Sequence, residues 1–350
     1  SWWIVHTQPT KETAAHSSQI PPTQLVDRSY SAYRAAPWAC LPIPPTQLVD
    51  RSYSTCGGPI VFQLPLSYAR AMYLEPFKEI SWAFQLHYHI CFRTHRRKTV
   101  FDAQSKIAAL SQALTDLCKI NDLHLLEKDC QPEHVQLLLS LRPSQLISDA
   151  MKRLKGRSST AICQEFGLTS PLWARGYLAR SVGRVRVQAV KKYVASQAAH
   201  HGYSTRALPP VFKFKAKEPE ALATAHASFD LTHHLVLVTR FRRGVFDSKT
   251  GEALVNYWIK VAASRGFAVD QITVLPDHVH LIVRITPKIS AEQVALSLMN
   301  NGQHFVATHF PLAVVEAKID QLWQPSAYVG TCGELTTALL KTFLRRADVG

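Results

Sequence analysis

The sequence predicts an α+β protein built from two ferredoxin-like domains, each running β-α-β-β-α-β with one extra helix at its end. Three observations carry this reading. QLHYHICFRTHRRKTVFDA at 85–103 aligns with DLTHHLVLVTRFRRGVFDS at 230–248, so one domain has been duplicated within the chain. Two later blocks keep the correspondence: EHVQLLLSLRP (133–143) with DHVHLIVRITP (277–287), and LWARGYLARSVG (172–183) with LWQPSAYVGTCG (322–333). Within each copy, short runs rich in β-branched and aromatic residues alternate with longer stretches of helical period, in the order of a ferredoxin-like sandwich.

The first copy opens with the β-rich run 84–93, followed by an amphipathic helix over 103–119 and two short strands. A helix over 144–166, a short strand near Tyr177 and a terminal helix over 186–199 complete it. The second copy repeats this with the run 231–239, helices over 249–265 and 290–309, a strand near Tyr328 and a terminal helix over 334–346. Residues 202–225, with Pro209, Pro210 and Pro219, read as a linker, which sets the domains at 77–201 and 226–350. Residues 1–76 are different in kind: IPPTQLVDRSYS at 20–31 recurs letter for letter at 43–54, with no helical or strand period. Loose packing or disorder is expected there. The first methionine is Met72, so the upstream stretch reads as a marginal extension.

At 350 residues and 47% hydrophobic composition the chain can bury two cores, which excludes a disordered or fibrous protein. No apolar run reaches the roughly 18–20 residues a bilayer span requires, and no signal-peptide pattern opens the chain, so neither a membrane partner nor secretion is expected. The seven cysteines are scattered, with no CxxC pair, which fits a reducing cytoplasm. Lys and Arg outnumber Asp and Glu by 40 to 25, and the excess is uneven: residues 77–217 carry a net +14, residues 226–350 only +2. A polyanion contact on the first copy follows. Its candidates are Arg93, Arg96, Arg97 and Lys98, then Lys152, Arg153, Lys155 and Arg157. The matching second-copy segment, SLMNNGQHF, lacks the lysine-arginine run.

Two groups of residues could carry chemistry. His278 and His280 lie at i and i+2 in DHVHLIV, where strand period two puts both imidazoles on one sheet face, as a pair of metal ligands or as two ordinary histidines. In KKYVASQ, Tyr193 and Gln197 are four apart on one helical face, either a phenol nucleophile beside an amide ligand or ordinary amphipathic packing. Phe84, Tyr88 and Phe92 alternate along the first strand, a pattern shared by RNA-stacking sheets and ordinary sheet packing.

Together the blocks HYHICFRTHRRKTVFD, HVQLLL or HVHLIV, LKGRSS, LWARGYLARSVG and VKKYVASQ resemble, in order, the single-tyrosine HUH transposases of the insertion-sequence-200/605 type. In that family a His-hydrophobic-His strand and a Tyr-x-x-x-Gln helix form the active site, and the tyrosine helix of one subunit can complete the site of its partner. Neither copy here holds the full set. The first has Tyr193 and Gln197 but reads His134-Val135-Gln136; the second has His278 and His280 but carries Phe343 and Ala347 where the tyrosine and glutamine belong.

The resemblance therefore implies a monomeric pseudo-dimer with one composite site, in which Tyr193 is the nucleophile and His278, His280 and Gln197 hold a divalent Mg2+ or Mn2+. A degenerate second site of His134, Gln136 and Phe343 would be inert. The implied substrate is single-stranded DNA with hairpin ends, cut and rejoined through a 5′-phosphotyrosine by a cytoplasmic, nucleoid-associated enzyme. The alternative is a catalytically inactive, domesticated DNA-hairpin-binding protein.

Overall fold

The computed structural model describes residues 76–168, 171–183, 189, 210–218 and 220–333. The N-terminal repeat, the terminal helices of both copies and with them Tyr193, Gln197, Phe343 and Ala347 lie outside the described residues.

Each copy supplies four strands in the order last, first, third, second, with two helices packed on one face. In the first copy these are β2 (His87–Arg93), β3 (His124–Cys130), β4 (His134–Ser140) and β5 (Tyr177–Val182), arranged β3-β4-β2-β5. Its helices are α1 (Gln104–Ile120) and α2 (Ile147–Phe166), which bury Leu110 and Leu114, and Met151 and Leu154, against the sheet. The second copy has β8 (Thr232–Thr239), β9 (Ala268–Leu275), β10 (His278–Arg284) and β11 (Trp323–Cys332), arranged β11-β8-β10-β9. Helices α3 (Ser248–Arg265) and α4 (Ala291–His309) cover it, and a short α5 (Pro311–Glu316) follows, which the periodicity did not predict. Local sequence sets the helix ends. Asp247 accepts the Thr250 N–H, Ser290 and Gln293 form a capping box, and Gly167 and Gly266 close α2 and α3 at φ 61 and 75.

The run 84–93 spans parts of two strands, and the run 231–239 is one strand preceded by another that the periodicity did not predict; in each copy the first strand of the two belongs to the other copy's sheet. β1 (Ser81–Gln85) runs parallel to β11, from Ser81↔Ser326 to Gln85↔Gly330. β7 (Ala227–Asp230) runs parallel to β5, from Tyr177↔Ala227 to Arg180↔Asp230. The chain crosses between sheets at Leu86 and Leu231, each 1% exposed. A hydroxyl secures each crossing. Ser181 accepts the Thr232 N–H at 3.0 Å and donates to Cys332 O at 2.6 Å, while Thr331 accepts the His87 N–H at 3.0 Å and donates to Val182 O at 2.6 Å.

The same twofold relation recurs elsewhere between the copies. Ser148 N–H donates to Pro287 O and Glu292 N–H to Pro143 O, joining the start of each helix α2 and α4 to the loop before the other. On the axis itself, the repeat-equivalent residues Tyr88 and His233 meet through a 2.7 Å hydrogen bond between Oη and Nε2, both fully buried. Burial holds the Tyr88 phenol far above its usual range and lowers the His233 imidazole to about 3, so both are neutral. Phe92 is likewise in the core, at 0% exposed. The alternating aromatics are therefore sheet packing and not a stacking surface.

The segment read as a linker contributes structure. β6 (Phe212–Lys215) adds antiparallel to the outer edge of β9, giving a six-stranded sheet β1-β11-β8-β10-β9-β6 beside the five-stranded β3-β4-β2-β5-β7. Phe212 and Phe214 pack on the core while Lys213 and Lys215 face solvent, the period-two pattern of an edge strand.

β5 and β11 meet end to end at two glycines. Gly183 N–H donates to Gly333 O at 3.0 Å, and a Cβ on Gly183 would come within 2.2 Å of Thr331 O. Gly183→Ala is expected to destabilise the protein by about 1–3 kcal/mol through overpacking. Gly156→Ala, on a helix face with nothing within 4 Å, should raise stability by about 0.5–1 kcal/mol. Chemical denaturation of the two variants checks both signs.

Candidate active site

His278 and His280 project from β10 away from the helices, since Val279 and Leu281 between and beyond them are the residues that enter the core. Both rings are buried at 6% exposure, with centroids 5.0 Å apart at 71°. Each is oriented by a partner. His278 Nδ1 lies 2.6 Å from Asp277 Oδ1, whose second oxygen accepts from Arg242 Nε at 2.9 Å. Burial alone would raise the Asp277 carboxyl, but the His278 hydrogen bond and charge, with Arg242, outweigh it and hold the carboxyl below its ordinary value. The bond to Asp277 engages Nδ1, so coordination by His278 would be through Nε2.

His280 Nδ1 meets His234 Nε2 at 3.0 Å, and the two rings stack at 5.3 Å and 13°. Burial depresses His234 to about 4, so it is neutral. With Nδ1 engaged by His234, coordination by His280 would likewise be through Nε2. Tyr328 closes the row, its ring meeting His234 edge-on at 5.8 Å. Two imidazoles so prepared fit part of a divalent-metal site. Among the described residues no group of three or more His, Cys, Asp or Glu side chains is arranged to hold a metal, so any further ligand comes from elsewhere.

At the equivalent place in the first copy the polar side chains are bonded to one another. Gln136 stands where His280 does; its Oε1 accepts from His89 Nε2 at 3.1 Å, and its amide nitrogen donates to His134 Nε2 at 3.4 Å and Asp129 at 3.5 Å. The His134 nitrogen that would face a ligand is thereby engaged. Burial lowers His134, partly offset by Asp129 and Glu133. Glu133, the counterpart of Asp277, is 42% exposed and meets Arg97 only at 3.9 Å.

A sequence model of the family described as "Transposase IS200 like" matches residues 82–197 and again 227–347. The chain belongs to the IS200-like transposase family. Each half is thus a family domain, and the internal repeat is a tandem duplication of it. The transposase of insertion sequence IS200 from Salmonella typhimurium is 29% identical over 116 residues, covering 31% of this chain and 75% of that protein. The ISDra2 transposase TnpA of Deinococcus radiodurans is 29% identical over 116 residues, 33% of this chain and 83% of its own. A crystal structure of a Deinococcus radiodurans transposase superposes with a TM-score of 0.28 at 28% identity, over 33% of this chain and 92% of that one.

The cations of this IS200-like transposase divide into three groups. Arg96, Arg97 and Lys98 are exposed in the turn after β2, and Lys152, Arg153 and Arg157 are exposed on α2, where they line an open groove of about 600 Å³. Arg93 and Lys155 differ from the sequence expectation. Arg93 is 7% exposed at the end of β2. Lys155 donates to the carbonyls of Ala174, Arg175 and Gly176 at 2.6, 3.1 and 3.0 Å, and burial lowers it to about 8. It anchors the loop before β5, and its charge is spent on backbone oxygens, not on a polyanion.

Sequence reasoning missed Asp277, His234, Arg242 and Tyr328. The signal for Asp277 was its place immediately before His278, and for His234 its alignment with His89 in the repeat. Lys155→Met, which installs the residue found at the equivalent Met299, is expected to cost about 1–3 kcal/mol of stability because three carbonyls lose their donor. Lys152→Ala should leave stability within about 0.5 kcal/mol. Paired thermal melts distinguish the anchoring lysine from the surface one.

Proposed function

We propose that this IS200-like transposase is a single-stranded DNA transposase with one composite active site, formed by Tyr193 and Gln197 from the first half and His278 and His280 from the second. The observation that carries the proposal is the one-sided preparation of the histidine pair: Asp277 and His234 orient His278 and His280, whereas Gln136 occupies the nitrogen of His134. The strand exchange supports it. The segment toward Tyr193 departs from Gly183, which is bonded to Gly333 of the second half, and ten residues can extend up to about 33 Å.

In the reaction the Tyr193 oxygen forms a bond to the scissile phosphorus as the P–O3′ bond breaks. The phenolic proton passes to water, the 3′ oxygen leaves as a hydroxyl, and the 5′-phosphate stays on the tyrosine. Attack by a second 3′-OH reverses the exchange without external energy. His278, His280 and Gln197 would hold a Mg2+ or Mn2+ ion, which when bound polarises the phosphate. Asp277 and His234 keep the imidazole lone pairs aimed at that position. The exposed cations of α2 and of the turn after β2 neutralise the backbone of a DNA hairpin, more on the first half than on the second.

Full-length protein, Mn2+ and 3′-labelled single-stranded oligonucleotides drawn from the DNA flanking its gene should give a covalent adduct stable to denaturation. Tyr193→Phe, His278→Ala and His280→Ala should each abolish it, Asp277→Asn should slow it about 10- to 100-fold, and Gln136→Ala should leave it intact. An adduct that survives Tyr193→Phe overturns the assignment. Hairpin binding with no adduct under any condition identifies a DNA-binding descendant that no longer cuts.

A further inference from the structure

The turn after β8 presents an aromatic ring that the fold itself does not use. Phe241 is 64% exposed, and its backbone sits in the left-handed region at φ 54, followed by Arg242 at φ 53. A bulky residue in that conformation costs on the order of 1–3 kcal/mol, and burial of the ring does not offset the cost. The turn is common to both halves: Arg96 and Arg97 have φ 53 and 56 at the equivalent positions. The backbone shape is therefore a property of the duplicated domain, and the ring is particular to the second half, the one with the intact histidine pair.

The turn is fixed to that pair. Thr239 Oγ1 lies 2.7 Å from Arg243 O and 2.8 Å from Asp277 O, and Thr239 N–H donates to the same Asp277 carbonyl at 2.9 Å. Arg240 N–H is bonded to Leu322 O. Arg242 holds the Asp277 carboxylate that orients His278. Phe241 is thus carried on a rigid rim two residues from the end of β8, directly beside the start of β10. One side of the ring is covered by the Arg240 guanidinium, 4.6 Å from its centroid. Arg240 also meets Asp320 at 3.7 Å and Arg242 is held by Asp277, while Arg243 is exposed beside the ring; an aromatic backed by arginine is the arrangement that takes an unpaired base on its face.

We propose that Phe241 is a stacking platform for an unpaired nucleobase next to the scissile phosphate, positioning single-stranded DNA over His278 and His280. This rests on the single-stranded substrate proposed above. The test uses the full chain in EDTA, so that no cutting intervenes, with oligonucleotides carrying one 2-aminopurine at successive positions. Phe241→Ala and Phe241→Asn, the latter compatible with the left-handed backbone, should bind about 5- to 100-fold more weakly. Both should lose the fluorescence quenching at one position. Phe241→Tyr should restore affinity to within about twofold, together with the quenching. Binding and quenching unchanged in the Ala and Asn variants overturn the platform while leaving the single-stranded substrate standing, as does a loss that tyrosine fails to restore. If the unaltered protein binds no single-stranded DNA, the platform and the proposed function fall together.

Discussion

Neither half of this transposase can finish its own sheet. Past β5 and past β11 the next strand comes from the other half, and the chain makes each passage at a buried leucine with a hydroxyl holding the backbone on both sides. The relation between the halves follows from this exchange. It aligns the two sheets about one axis and brings Gly183 against Gly333. Separating the halves would expose two strand edges and two crossing leucines, and would leave Ser181 and Thr331 without their acceptors, so the tandem behaves as one cooperative body.

Fusion also frees the two sides of the axis to differ. In a dimer of identical chains, a residue on the twofold meets its own copy. Here the residue on one side is Tyr88 and on the other His233, a phenol facing an imidazole. The same licence is visible at the sites. One half keeps the oriented histidines, while the other has turned its counterpart into an amide network around Gln136.

Much of this was legible in the sequence, because it lies in local pattern. The repeat gave two domains, the periods gave the helices α1 to α4 and the central strands, and the His-x-His spacing placed two rings on one face. What was not legible depends on distant partners. Period two shows that 84–93 and 231–239 are extended, but not that the chain changes sheets at Leu86 and Leu231, since that is decided by strands about 50 positions away for β7 and 245 for β1. The alternation Phe-Lys-Phe-Lys in β6 is a strand signal, and the prolines around it masked it. Lys155 looked like its neighbours in a basic run, and only the loop at 174–176 folding over it reveals three waiting carbonyls. Asp277 and His234 act through the rings they hold, a relation that spacing cannot express.

The exchanged strands also impose an order on the birth of the molecule. β1 leaves the ribosome among the first structured segments, yet its partner β11 follows about 245 residues later, roughly 12–50 s at ordinary synthesis rates of 5–20 residues per second. β7 has no such delay, because β5 is already made when it emerges. During that interval the first half can assemble its four strands and receive β7, while Ser81–Gln85 waits unpaired. The nascent chain therefore carries a sticky five-residue edge until nearly its last strand is complete, and two chains growing close together could exchange that edge between molecules before either closes it within itself.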